Sequence, residues 1–148
     1  MMPAMTETDR VRAHTADIIN DRIDRETMQR LRNYAMRQAE DITPHLHRLD
    51  REWDIERALE INAAAIGLAG VALAIAHDRR WLALPAIVFS FLALHAAQGW
   101  CPPVPVLRRL GFRTRREIDR ERYAMKAMRG DFDGTTRRSQ AAWRAVRE

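Results

Sequence analysis

Two stretches of the chain, Ile61 to Ala76 and Trp81 to Ala97, contain no Asp, Glu, Lys or Arg, and only His77-Asp78-Arg79-Arg80 separates them. A bilayer-spanning helix needs about 20 apolar residues, with a range of about 17–25. Extended back to Ala58, the first stretch has nineteen residues, about 28 Å of helix at about 1.5 Å per residue. With Gln98 and Gly99 added, the second stretch is of the same length. The pattern predicts two helices, about 58–76 and 81–99, folded back on each other because the connection is so short. An amphipathic helix of a soluble protein keeps a polar face, and neither of these does. They therefore read as an antiparallel transmembrane hairpin rather than the buried core of a soluble bundle. Trp81 and Trp100 bracket the second helix and place an indole at each interface, as membrane anchors do.

Within the hairpin, Ala63, Gly67, Gly70 and Ala74 are spaced 4, 3 and 4 and form one stripe of small residues. Helices in lipid associate by close packing, so this stripe is a helix-packing face, turned either to the second helix or to a second copy. Folding the hairpin about residues 78–79 sets Asn62 level with His95 and Gly67 level with Ser90. Asn62, Ser90, His95 and Gln98 make a candidate intramembrane polar cluster, since polar groups at that depth point to function. The alternative is that they meet water or backbone carbonyls near the interface.

The flanks read as helices of lower hydrophobicity. Residues 1–14 are polar and read as a frayed end. From Thr15 to about Ala39 a helical pattern runs through Ala16, Ile19 and Ile23, then Met28, Leu31 and Ala35. Thr43-Pro44 is a helix-start signal. No breaker follows it, so one helix is expected from about 44 to 77. After the hairpin, Pro102, Pro103 and Pro105 stop the second helix. Val106-Leu107-Arg108-Arg109-Leu110 then suits a surface position among lipid headgroups. Thr114 and Glu117 form a capping box. The helix they start should end at Gly130, with Ile118, Tyr123, Met125 and Met128 on its apolar face. A marginal helix is expected around Trp143. The expected organisation is all-α: a cytoplasmic helical region over 1–50, the hairpin domain over 51–112 and a basic cytoplasmic tail over 113–148.

Charge sets the orientation. Residues 1–60 carry net −3, whereas residues 98–148 carry 13 basic and 6 acidic groups, net +7. Arg48, Arg51, Arg57, Arg108, Arg109, Arg113, Arg115 and Arg116 lie outside the hairpin ends, against Arg79 and Arg80 in its loop. By the positive-inside rule both termini face the cytoplasm. Beside a membrane the basic tail is accounted for by anionic headgroups, at about 1 kcal/mol per arginine, so no nucleic-acid partner is expected.

Little in the chain speaks of catalysis. Cys101 is the single cysteine, which excludes an intramolecular disulfide and leaves a candidate thiol at the water boundary. His45 and His47 are two apart and point to different faces of a helix, poor geometry for one metal. No glycine-rich phosphate loop, catalytic triad order or carboxylate pair in a pocket is present. No enzyme activity, metal or cofactor is expected.

The run WDIERALEINA into a two-helix hairpin, followed by GWCPPVPVLRRLGF and a basic helix, resembles bacterial proteins with the YgaP-like transmembrane domain, a family of unknown function. The resemblance covers about Arg51 to Phe112. It is carried chiefly by Gly99, Cys101 and Pro102, which match the family's Gly-x-Cys-Pro, and by Glu56-Arg57 ahead of the first helix. It implies a dimerising hairpin in the bacterial inner membrane. Some relatives carry a sulfurtransferase domain, but this chain has no α/β pattern for one, so that activity is not transferred. The expectation is a self-associating inner-membrane anchor or interaction module, its partners the lipid bilayer, a second copy and a cytoplasmic protein. The alternatives are a membrane-proximal thiol protein using Cys101, or an oligomeric small-solute pore.

Overall fold

A computed structural model of the chain describes residues 9–134 and 140–143. Among the described residues the fold is all-helical, without strands. Seven α-helices follow in order: α1 (Arg10–Ala13), α2 (Asp17–Ala35), α3 (Ala39–Arg51), α4 (Ile55–Ala76), α5 (Ala83–Gln98), α6 (Val104–Arg109) and α7 (Arg115–Arg129). A 3₁₀ turn, Arg79–Leu82, precedes α5, and residues 140–143 are helical. The chain divides into two compact units, one of residues 1–23 with 53–115, the other of residues 24–52 with 116–148.

The first unit is built on α4 and α5. A Cβ on Gly67 would lie 2.7 Å from Phe89 Cζ, and one on Gly70 would lie 2.5 Å from Pro85 Cδ. The order of these contacts makes the pair antiparallel. Ala63, Gly67 and Gly70 are buried and Ala74 is half-buried, so the small-residue stripe is turned to α5 of the same chain. The opposite surfaces stay apolar and uncovered, with Leu68 71% and Ile75 84% exposed. Both helices are long and apolar enough to cross a membrane.

At the open end of the hairpin the unit has a compact base. Val11, Ile55, Leu59, Cys101 and Val104 form its core, with Leu107 and Phe112 against it. Residues 9–14 are ordered here rather than frayed. Asp9 caps α1 through Val11 N and Arg12 N, and its other carboxylate oxygen accepts from Thr114 Oγ1 at 2.5 Å. The side chain of Arg10 donates to the carbonyls of Ala96 and Ala97 at 2.7 and 3.3 Å, satisfying acceptors that the end of α5 leaves open.

A second departure concerns the expected helix over 44–77. The chain is extended at Glu52 (ψ 134°) and Asp54 (ψ 164°). Asp54 caps α4 by accepting from Arg57 N at 2.7 Å, so α3 gives way to α4 without glycine or proline. Nor does Pro44 open a helix: α3 begins at Ala39 and carries Pro44 inside it, where the missing N–H removes a bond to the residue 40 carbonyl.

The second unit packs part of α2 with α3 and α7. Its core is Ile42, Leu46, Leu49, Ile118 and Met125, with Leu31 and Tyr34 against it. Helix α7 ends at Gly130, which has φ +90°. Of its expected apolar face, Ile118 and Met125 are buried, while Tyr123 and Met128 remain exposed.

Candidate functional site

The hairpin's open end brings several candidate residues near one another without assembling the expected polar cluster. Asn62 donates to its own helix at Ala58 O, 2.7 Å away, and Ser90 Oγ donates to Ala86 O at 2.8 Å. His95 is buried, with Nδ1 lacking a hydrogen-bond partner. Gln98 is exposed. No hydrogen bond joins any two of these four among the described residues, because two of them are already satisfied one helical turn back. Trp81 is exposed and Trp100 half-buried.

What the hairpin does form is an apolar cleft of about 190 Å³. Leu59, Asn62, Ala63 and Ile66 of α4 make one wall, Val88, Phe91 and Leu92 of α5 the other, and Cys101, Pro102 and Pro103 close its end. The turn that places them is local: Gly99 takes φ +79°, the two prolines follow, and Val104 N donates to Cys101 O at 2.9 Å. Cys101 is 6% exposed within the core of the base. Burial pushes its thiol pKa up from the ordinary value. Thiolate reactivity calls for the opposite shift.

The segment after the cleft also departs from expectation. Arg108 does not reach outward; it is completely buried. It donates to Asn20 Oδ1 at 2.8 Å and to Phe112 O at 3.1 Å. Arg22 in turn donates to the carbonyls of Arg108 and Arg109. Asn20 completes the junction by donating to Arg12 O and Thr15 O. Val106 and Leu110, by contrast, are exposed. Helix α6 thus buries the Arg108 guanidinium beside Val104 and Leu107, and leaves Val106 and Arg109 exposed.

Beside this base lies a titratable group. Burial, the largest cause, raises the Glu56 pKa above 4.5, as do Asp54 and Asp9, against two backbone N–H groups that lower it. An acid whose folded pKa is raised costs stability as pH climbs from its unfolded value through its folded one. Glu56→Gln removes that titration. In detergent the variant should melt above the wild type at neutral pH, and the gap should close below the ordinary carboxylate range. An unchanged melting temperature at neutral pH would contradict the shift.

A polar network that sequence reading missed occupies the second unit. Glu121, completely buried, accepts from Arg30 Nε at 2.9 Å and His45 Nε2 at 2.8 Å on one oxygen, and from Arg30 Nη2 at 3.0 Å on the other. Arg48 donates to His45 Nδ1 at 3.2 Å and to Tyr34 Oη at 2.8 Å. Because a guanidinium only donates, Nδ1 accepts and the His45 proton sits on Nε2. The Tyr34 and His45 rings lie 4.7 Å apart. The group ties α2, α3 and α7 together. Its sequence signal was weak: His45 and Glu121 are 76 positions apart. No family model, curated protein or solved structure matches the chain.

Proposed function

We propose that this chain is a small bacterial inner-membrane protein, its α4–α5 hairpin an anchor that holds the helical flanks at the cytoplasmic face. The observation that carries the reading is the outward surface of the hairpin. Two helices of spanning length present aliphatic residues outward over most of their surface, and only 28% and 11% of their apolar windows are covered by the chain itself. Soluble core helices are covered; these are not. The excess of arginine beyond the hairpin ends supports cytoplasmic termini. The resemblance to YgaP-like hairpins from Arg51 to Phe112 agrees with this role and supports no enzymatic one.

Self-association belongs to the same proposal, but the stripe of Ala63, Gly67 and Gly70 is occupied by α5. A second set of small residues, Ala65, Ala69 and Ala72, is exposed on α4 and offers close backbone approach to another copy. The anchor reading is tested by fractionation. The full chain should pellet with membranes, resist alkaline carbonate and enter solution only with detergent. Recovery in the soluble fraction without detergent would overturn it.

A further inference from the structure

We infer that the cleft at the cytoplasmic end of the hairpin is a binding site for one acyl chain of a membrane phospholipid. The inference rests on the anchor reading and adds a specific ligand to it.

Three observations converge on that occupant. First, the walls contributed by Leu59, Ile66, Val88, Leu92 and Pro102 are apolar. The one amide in the lining, Asn62, already spends a donor on Ala58 O. Water needs two to four polar partners, so an apolar space of about 150 Å³ holds it poorly and takes apolar guests. Second, the walls are continuous with the uncovered aliphatic surface of the hairpin, because Ile66 and Phe91 both line the cleft and remain exposed. In a membrane the cleft therefore opens onto lipid tails. Third, the chain leaves the cleft through Pro102 and Pro103 into α6, where Val106 and, just past the helix, Leu110 are 56% and 71% exposed. That exposed aliphatic edge suits a segment lying against hydrocarbon. It extends the apolar surface from the cleft toward headgroup level, where Arg109 is exposed.

In this arrangement Cys101 needs no reactivity. It is a small apolar wall of the site, between the core of the base and the guest chain. A larger side chain there would close the cleft from one end.

The test uses the full chain in vesicles of phosphatidylethanolamine and phosphatidylglycerol, doped with a phosphatidylglycerol carrying a diazirine in one acyl chain. After illumination, adducts are mapped by peptide mass spectrometry. Adducts are expected at the cleft residues Leu59, Leu92 and Cys101, and at the outward residues Leu68 and Ile75. Ile66→Trp and Val88→Trp fill the cleft from opposite walls. Each should lose the cleft adducts and keep those at Leu68 and Ile75, with helix content unchanged by circular dichroism. If either variant misfolds, the other and the wild-type pattern decide. Adducts at Leu68 and Ile75 with none in the cleft would overturn the inference and leave the anchor standing. Absence of adducts throughout the hairpin would overturn both. Cleft residues free of lipid, combined with loss of a dimer in the tryptophan variants, would assign the cleft to a second copy and refute the lipid.

Discussion

Replacing Glu121 with leucine should destabilise the α2–α3–α7 unit by about 3 kcal/mol, at the low end of the about 3–5 kcal/mol seen when one partner of a buried ion pair is removed. The size follows from what is left behind. The His45 side chain is 8% exposed, so its Nε2–H is stranded, and a buried unsatisfied donor costs about 1–3 kcal/mol. Arg30 is 33% exposed along its side chain and can swing part of its charge into water, which keeps the total below the top of the range. Unfolding of the full chain in mild detergent, followed by circular dichroism, measures the loss. The same argument makes a second demand. Replacing the whole set with apolar groups, Glu121→Leu with Arg30→Met and His45→Phe, removes the buried charge together with the His45 donor, and such exchanges are often neutral or stabilising. The triple variant should recover most of what the single one loses. If the three costs simply add, the residues do not act as one network.

That network marks the limit of what the sequence made legible. The hairpin was readable because its signal is local: two charge-free runs and a four-residue connection leave one simple way to fold. The small-residue stripe was readable for the same reason, since spacings of 4 and 3 fix a helix face whatever it meets. The break at Glu52–Asp54 was also local, but the extended residues carry no glycine or proline. An aspartate can cap α4 as well as sit in a solvated helix, and only the bond that Arg57 N donates to Asp54 Oδ1 decides between them. The remaining surprises are non-local. Arg108 looked like a headgroup contact beside Arg109, and a six-residue helix is too short for periodicity to say which of the two faces inward. The answer lies in Asn20, 88 positions away. Asp9 and Val11 lie in a segment that reads as polar and terminal because their partners, Thr114 and the core of the base, are distant in sequence.

The same distance in sequence governs the other large effect, expected at Gly99. Gly99→Ala should cost about 3 kcal/mol or more, with two separable parts. Gly99 ends α5 at φ +79°, and a left-handed conformation costs a residue with a Cβ about 1–2 kcal/mol. The added carbon would also overlap Arg10 Cβ, and lie 2.7 Å from Arg10 C and 2.9 Å from Arg10 O. Two of these atoms are backbone, so no rotamer change relieves the overlap and α1 must move. Its movement draws Val11 from the core of the base, and fully exposing such a side chain costs about 1.5–3 kcal/mol. Gly111 separates the parts. It has φ +94° but nothing within 4 Å of an added Cβ, so Gly111→Ala should carry the conformational cost alone. Arg10→Ala removes the guanidinium from the Ala96 and Ala97 carbonyls without filling the contact, and should cost only about 0.3–1 kcal/mol, as charges at helix ends do. The expected order of melting temperatures in detergent is Arg10→Ala highest, Gly111→Ala next and Gly99→Ala lowest, with faster proteolysis near α1 in the last alone. Equal losses at Gly99 and Gly111 would mean that α1 does not press on the end of α5, and that backbone conformation alone explains the glycine.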